Sequence, residues 1–228
     1  MRTIPIAALA AVGSLAATLA WAQAPVAVVE DVSGKSAGVE FMDYVAAGKV
    51  IKLGPRDTLV LGYLASCWRE TITAGTVTIG TEQSEVQNGK VERTRVKCDG
   101  GQMNLSAEQA VQSAGVISRS ISGSQQTDVD QSRLPQPQVR LYGRIPVVEV
   151  HGTGNLVIER LDEPGEHYDI AVGKQELVRG TFVDLAKSRR ILAAGGLYRA
   201  TFGDRQVVFA VDPNASAAAP LLARLLRL

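Results

Sequence analysis

The stretch that decides the fold is residues 49–64, with the sequence KVIKLGPRDTLVLGYL. Two runs rich in β-branched and aliphatic residues flank the Gly-Pro-Arg-Asp segment 54–57, which predicts two strands joined by a turn. Apolar side chains of the second run, residues 58–64, alternate onto both sides of the strand. Both of its faces are therefore expected to be buried.

Similar short β-rich runs continue on both sides of this stretch, and helical periodicity is scarce. Residues 24–32 (APVAVVEDV) predict an edge strand near the start. Asn88-Gly89 lies between two short β runs and predicts a two-residue hairpin. From residue 139 to residue 213 the pattern predicts about seven short strands, one of them at 168–172, and this number is typical of a small sandwich.

Local signals within the later strands predict three specific turns. The segment Leu192–Tyr198 (LAAGGLY) resembles a tyrosine corner, in which the Tyr198 hydroxyl bonds to the backbone of the preceding turn. Gly203-Asp204 predicts the turn of the last hairpin. The Gly-Thr-Gly-Asn segment 152–155 predicts another hairpin turn, because no helix follows that could make it a nucleotide-binding loop.

Changes in composition divide the chain into segments. We predict a β domain at 23–117 whose last part, 105–117, is helical, then an exposed polar linker at 118–138 (SRSISGSQQTDVDQSRLPQPQ). A β-sandwich at 139–213 and a short C-terminal helix at 214–228 follow. The alternative is that 118–138 is a long loop inside one domain. The predicted fold class is mostly β, with two small β domains.

The first 22 residues predict a cleavable signal peptide. One arginine precedes an apolar run that ends in the small-x-small site Ala20-Trp21-Ala22, so cleavage leaves Gln23 at the N-terminus. An uncleaved membrane anchor is the alternative, and the polar residues within the run argue against it. We therefore expect a periplasmic protein in an oxidising compartment.

The chain has two cysteines, Cys67 and Cys98. An even number in an exported protein predicts a disulfide, whose stabilisation is about 3–4 kcal/mol for a loop of this length. Two buried free thiols are the alternative. The wide spacing without a neighbouring histidine is not that of a zinc site.

The net charge and the hydropathy of the sequence argue against binding to nucleic acid or anionic lipid and against a membrane span. The 24 basic and 23 acidic residues nearly cancel, so no overall basic excess attracts nucleic acid or anionic lipid. Beyond the predicted signal peptide no apolar stretch reaches 18 residues, and we expect no transmembrane span after cleavage.

Residues suited to catalysis, cofactor binding or metal binding are sparse, and the sequence predicts none of these sites. The two histidines, His151 and His167, lie far apart in the chain, and a metal site would need help from Glu149 and Asp169. The acidic cluster 159–166 is a candidate calcium loop, but a solvated loop is favoured. No Gly-x-Ser-x-Gly nucleophile motif is present.

The tail 214–228 carries apolar residues at helical spacing. Its predicted helical face consists of Leu221, Leu222, Leu225 and Leu228. This face either packs on the chain's own sheet, which we favour, or docks on a partner.

The first domain resembles the FecR-like periplasmic domain. The resemblance rests on Gly48–Gly54 leading into Thr58–Leu64, and on Gly75–Gly80 followed by Ser84 and Gly89. It implies a β-rich signalling or interaction domain. Regulators of that type carry a cytoplasmic segment and a membrane span before this domain, whereas this chain has a predicted signal peptide. Direct signalling to a cytoplasmic sigma factor is therefore not expected. The second domain resembles immunoglobulin-like sandwiches in architecture.

Together these features predict an exported, non-catalytic binding or regulatory module, an accessory or sensor component in envelope signalling. The expected partner is an envelope or inner-membrane protein, or a polysaccharide. The alternative is a periplasmic protein that binds a small ligand, a polysaccharide or a metal. A concave pocket with converging polar groups would favour the ligand, and an open edge strand or apolar patch would favour the protein partner.

Overall fold

The computed structural model describes residues 24–99 and 134–228. The predicted signal peptide 1–22, the helical segment 105–117 and residues 118–133 of the predicted linker lie outside these ranges. Within them the chain is mostly β, as predicted, and its strands form three sheets. No helix in the two described ranges is both long enough and apolar enough to cross a membrane.

The first sheet is antiparallel and is built from residues 24–99. Its strands are β1 (Pro25–Ser33), β2 (Tyr44–Ala46), β3 (Val50–Tyr63), β4 (Trp68–Ile79), β5 (Ser84–Gln87) and β6 (Lys90–Arg95). The order is β2-β1-β3-β4-β5, and β6 also pairs with β4. The prediction that β1 is an edge strand is wrong, because the three-residue β2 covers its other side.

The predicted turn at 54–57 is an excursion inside one long strand, β3, and not a connection between two strands. Leu53 lies opposite Gly75 and Thr58 lies opposite Thr73, so four residues of β3 face a single residue of β4. The Gly-Pro-Arg-Asp sequence favours a local departure from the ladder. β4 also departs from extended geometry here, with φ values of 60° at Ala74 and 86° at Gly75, and the pairing resumes on the far side.

The hairpin predicted at Asn88-Gly89 is wrong. β5 and β6 both run antiparallel to β4, with Gln87 opposite Thr76 and Lys90 opposite Thr73. The two residues therefore make a kink in one strand line. Asn88 has a φ of 56°, and a Cβ atom at Gly89 would lie 2.2 Å from a carbonyl oxygen of β4. Only glycine tolerates so close an approach of two backbones.

The first core is formed entirely by residues of this part of the chain. Its buried members include Ala27, Val29, Val45, Ile51, Leu59, Leu61, Tyr63, Ile72, Val77 and Ile79. The predicted burial of both faces of residues 58–64 is confirmed. Leu59, Leu61 and Tyr63 point into this core, while Val60 and Leu64 on the other face are also buried.

Residues 134–228 form a sandwich-like pair of sheets. Their strands are β7 (Val139–Gly143), β8 (Val147–Glu149), β9 (Gly154–Arg160), β10 (His167–Val172), β11 (Leu177–Val178), β12 (Phe182–Asp184), β13 (Leu197–Phe202), β14 (Arg205–Ser216) and β15 (Leu225–Arg227). One sheet has the order β10-β9-β13-β14-β7 and the other β11-β12-β8-β15. A second core contains residues of both sheets, among them Val148, Leu156, Tyr198 and Phe209.

The turns of the sandwich agree only in part with the predictions. Gly203-Asp204 joins β13 to β14 in a hairpin, as predicted. The segment 152–155 does not turn a hairpin, because it carries the chain from β8 in one sheet to β9 in the other.

The predicted tyrosine corner is confirmed. The Ala193 N–H donates to the Tyr198 hydroxyl at 2.8 Å, and that hydroxyl donates to Glu166 Oε2 at 2.7 Å. Burial, followed by the hydrogen bond to Glu166, raises the pKa of Tyr198, so its hydroxyl remains a donor at neutral pH. The corner therefore joins the turn before β13 to the loop between β9 and β10.

Of the predicted C-terminal helix, only a 3-10 turn is present. β14 extends to Ser216, a single 3-10 turn spans Leu221–Ala223, and β15 then pairs in parallel with β8. Strand pairing prevails because β8 offers an open backbone ladder, whereas a short helix gains little from its own hydrogen bonds.

The tail is covered by the chain itself. Leu221, Leu222 and Leu225 are 5 %, 1 % and 1 % exposed, and Leu228 is half-buried. Leu226, which the helical pattern placed off the apolar face, is fully buried in the second core. In a strand, neighbouring side chains point in opposite directions, and β15 has apolar surroundings on both sides.

The two parts of the chain share a third apolar cluster, which we call the junction. It contains Val28, Met42 and Leu64 from the first part and Val147, Phe182, Leu221, Leu222 and Leu225 from the second. Among the hydrogen bonds that join the two parts here, the Leu222 N–H donates to Glu30 Oε1 at 3.1 Å, and the Tyr44 hydroxyl donates to Glu149 Oε2 at 2.7 Å. The tail thus fastens the first sheet to the sandwich.

Cys67 and Cys98 are within disulfide distance, with their sulfurs 2.05 Å apart. The bond ties the β3–β4 turn to the segment that follows β6, where the Val96 N–H also donates to the Cys67 carbonyl at 3.0 Å. One residue further on, Asp99 Oδ2 accepts the Arg140 N–H of β7 at 2.8 Å. The disulfide therefore holds a strand end that reaches the sandwich.

We expect the double variant Cys67→Ala/Cys98→Ala to lose about 2–4 kcal/mol of unfolding free energy, because the unfolded chain is no longer constrained. Urea unfolding followed by circular dichroism measures this loss. Reductant should destabilise the native protein and leave the double variant unchanged. Two thiols that react with a labelling reagent in the denatured, unreduced protein would contradict the prediction.

Candidate protein-binding edge

The buried carboxylates of the described chain serve as structural partners of arginines. The three pairs join Glu30 to Arg69 at 2.7 Å, Glu70 to Arg93 at 2.6 Å and Glu149 to Arg227 at 2.8 Å. In the described residues every buried side-chain nitrogen or oxygen has a hydrogen-bond partner. These groups stabilise the fold, and none points unsatisfied into a cavity.

The acidic cluster 159–166 is organised around a cation of the chain. Arg160 contacts Asp162 at 3.0 Å, Glu163 at 3.1 Å and Glu166 at 3.1 Å. Burial opposes ionisation of Asp162, but hydrogen bonds from Arg160 and the Leu197 amide outweigh it and lower the pKa of Asp162. The three carboxylates are therefore paired with a guanidinium of the chain itself.

No group of three or more His, Cys, Asp or Glu residues within 24–99 and 134–228 is arranged to hold a metal ion. His151 and His167 are both exposed. Glu149, which would have to assist them, is already bound to Tyr44 and to Arg227.

A surface depression of about 360 Å3 lies between the start of β1, the β3–β4 turn and β15. Its lining includes Pro25, Leu64 and Arg227, the last being its charged residue. Arg227 donates to Glu149 and lies 5.4 Å from the Tyr44 ring centroid, so its guanidinium is engaged in the fold. The depression does not bring several polar groups together, which small-ligand sites usually do.

The open edges of the three sheets differ in length and in protection. β2, β11 and β15 are two or three residues long, and β5 has four. β6, which continues the strand line of β5 beyond the kink at Asn88-Gly89, has six residues, but three of them are Lys or Arg. On β7, the Arg140 N–H is covered by Asp99. Short, charged and covered edges resist pairing with other chains.

β10 lacks these protections. Its six residues, HYDIAV, contain no Lys, Arg or Pro, and in the described chain it pairs only with β9. Asp169 is its one acidic residue. β10 is therefore the longest described edge that is open to pairing with another strand.

The register shows which backbone groups face the open edge. The Arg160 N–H donates to the Glu166 carbonyl at 2.9 Å, and Ile158 pairs with Tyr168 two residues further on. Hydrogen-bonded pairs alternate along an antiparallel ladder, so the amide groups of Tyr168 and Ile170 point toward β9. Those of His167, Asp169 and Ala171 point outward.

The side chains of β10 alternate in the same way. Tyr168 and Ile170 pack against the second core but are only half-buried, because no further strand covers them. Burial, and then the charge of Glu166, raise the pKa of Tyr168. The Arg190 guanidinium lies 5.2 Å from the Tyr168 ring centroid. An added strand would complete the burial of both residues.

Sequence patterns identified the strand but not the site. The sequence predicts a strand at 168–172 without Lys, Arg or Pro, but nothing local indicates that this strand ends a sheet. The four leucines of the tail pack on the chain itself, which is the favoured alternative: three lie at the junction, and Leu228 is half-buried against the second core.

Comparison with family models, with curated proteins and with solved structures finds no match for this chain. Arguments about function therefore rest on geometry and chemistry.

Proposed function

We propose that this protein is an exported, non-catalytic binding module that recognises an extended segment of an envelope protein by strand addition at β10. The observation that carries the proposal is the six-residue edge whose outward amide groups, at His167, Asp169 and Ala171, have no strand partner in the described chain. Its expected role is that of an accessory or sensor component in envelope signalling.

Export is supported by the predicted signal peptide at 1–22 and by the cysteine pair, since disulfides persist in oxidising compartments such as the periplasm. The proposed site of action is accordingly the periplasm. The FecR-like character proposed for the first part agrees with its all-β composition and rests on the glycine pattern alone.

The immunoglobulin-like character proposed for the sandwich is supported by strand order. The order β10-β9-β13-β14 corresponds to C′, C, F and G of a variable-type sheet, and β8, β12 and β11 correspond to B, E and D. One departure is that β15, from the end of the chain, pairs with β8 where a first strand A would lie. In this assignment the proposed binding edge is strand C′.

Strand addition would supply both hydrogen bonds and apolar contact. Each backbone hydrogen bond contributes about 0.5–1.5 kcal/mol net. The half-buried faces of Tyr168 and Ile170 would lose their remaining contact with water. A partner strand with apolar residues at alternate positions fits this surface.

We expect Ala171→Pro to abolish partner binding, because it removes an outward N–H while leaving the amides that face β9 in place. Ala171→Ser keeps that donor and is the matched control. A photo-crosslinking amino acid at position 169 of the exported protein should give one envelope-protein adduct. The adduct should persist in Ala171→Ser and disappear in Ala171→Pro. An equally strong adduct in both variants would show that the edge is not used.

A further inference from the structure

A compact basic turn lies next to the proposed binding edge. Lys187, Arg189 and Arg190 fall within four residues, and all three are exposed. Within the described chain none of them forms an ion pair, although Arg190 packs on the Tyr168 ring. The chain as a whole is nearly neutral, so this local charge is a property of one surface.

The backbone of the turn is held by its own hydrogen bonds. The Arg190 N–H donates to the Leu185 carbonyl at 3.2 Å, and the Arg189 N–H donates to the Ala186 carbonyl at 3.1 Å. The Ser188 hydroxyl also donates to the Leu185 carbonyl, at 3.0 Å. Leu185 is fully buried and anchors the turn in the second core. The three cations therefore project from a fixed support.

Contact between Arg190 and Tyr168 places this turn beside the first half of β10. The guanidinium lies 5.2 Å from the ring centroid. A strand added along the open edge of β10 would pass the Tyr168 side chain and so come near the turn.

The neighbouring acidic groups are already paired. Asp184 Oδ1 accepts from Arg224 at 3.0 Å and from the Ala186 N–H at 3.1 Å. Glu166 is bound to Arg160 and to the Tyr198 hydroxyl. Glu163 also contacts Arg160. Asp169, on β10 itself, forms no ion pair within the described chain.

We propose that the segment recognised at β10 is acidic, with carboxylates that meet Lys187, Arg189 and Arg190 as the strand passes Tyr168. This inference rests on the proposed function and specifies the chemistry of its partner. A second copy of β10 would bring one carboxylate, Asp169, and complements the basic turn less well than an acidic segment does.

The test uses three dye-labelled, N-acetylated nonapeptides in which valine alternates with glutamate, glutamine or lysine. Fluorescence anisotropy measures their binding to the purified protein at low salt. The glutamate peptide should bind about tenfold more tightly than the glutamine peptide, since each exposed ion pair contributes modestly. That preference should shrink at high salt.

Variant Lys187→Glu/Arg189→Glu should remove the preference for the glutamate peptide. Variant Lys49→Glu/Lys52→Glu, which reverses two exposed lysines on the first sheet, makes the same change in net charge and should retain it. An equal loss in both variants would overturn the proposal, because the effect would then be one of net charge.

Further outcomes separate this proposal from the proposed function. If the glutamine peptide binds as tightly as the glutamate peptide and Ala171→Pro abolishes both, acidic selection is wrong and edge binding stands. If the glutamate preference depends on the basic turn but not on Ala171→Pro, the turn binds acidic chains and strand addition at β10 is wrong. If none of the three peptides binds at 1 mM, the acidic-segment proposal is overturned.

Discussion

Removal of Pro220–Leu228 should unfold the protein or lower its Tm more than any single substitution. Leu221, Leu222, Leu225 and Leu226 are each no more than 5 % exposed. Burial of a leucine contributes about 1.5–3 kcal/mol, so the four contribute about 6–12 kcal/mol. Most domains have a total stability of about 5–15 kcal/mol, and the loss is therefore comparable to the whole.

Polar contacts of the tail add to this loss. Arg227 and Arg224 hold Glu149 at 2.8 Å and Asp184 at 3.0 Å, and the Leu222 N–H is bound to Glu30. Deletion removes these contacts from Glu30 and Glu149, which are buried and would keep only Arg69 and the Tyr44 hydroxyl as partners. The open ladder of β8 would also be exposed to other chains.

Single substitutions in the tail separate the contribution of leucine packing from the effect of deleting the whole tail. Leu225→Ala should cost about 2–5 kcal/mol, the range for truncating a buried leucine. Leu228→Ala, at a half-buried position, is the matched control and should cost clearly less. Urea unfolding followed by circular dichroism gives both values. A Tm unchanged by the deletion would contradict the role of the tail in joining the two parts.

Replacement of Glu70 by alanine should cost about 3 kcal/mol, although this residue performs no chemistry. Its side chain is 0 % exposed, holds Arg93 Nε at 2.6 Å and accepts the Ser84 N–H at 3.1 Å. Removing one member of a buried ion pair costs about 3–5 kcal/mol because the other charge is left uncompensated. The lower value applies because the Arg93 side chain is 31 % exposed and keeps some contact with water.

The control for this prediction is Glu92→Ala on the same sheet. Glu92 is exposed and forms no ion pair among the described residues, so its loss should change stability by less than about 0.5 kcal/mol. Glu70→Gln keeps an acceptor for Ser84 and removes the charge, and it should fall between the two. Equal stability of the Glu70→Ala and Glu92→Ala variants would contradict the structural role of Glu70.

Much of the local structure could be predicted from sequence. Alternating β-branched and apolar residues located the strand at 168–172, the Gly203-Asp204 hairpin and the corner at Tyr198, because each depends on a few consecutive residues. The cysteine pair follows from the number of cysteines and from the predicted export, neither of which requires the fold.

The candidate site could not be predicted in the same way. HYDIAV reads as an ordinary strand, and its importance comes from the absence of a neighbour beyond β10 in the described chain. The basic turn at 187–190 becomes relevant because Arg190 lies on Tyr168, a contact between residues that are distant in sequence. Edge position and such contacts are decided by how the sheets assemble.

By itself, then, the sequence determined that the chain is mostly β, where many strands run and which two cysteines lie together. Only tertiary structure decided what each segment pairs with. Asn88-Gly89 became a kink because β4 extends past both flanking strands. The leucine-rich tail became a strand because β8 offered a ladder with apolar surroundings on both sides. Local sequence patterns set conformational preferences of about 1 kcal/mol per residue. Long-range strand pairing and burial contribute several kcal/mol and therefore override these preferences.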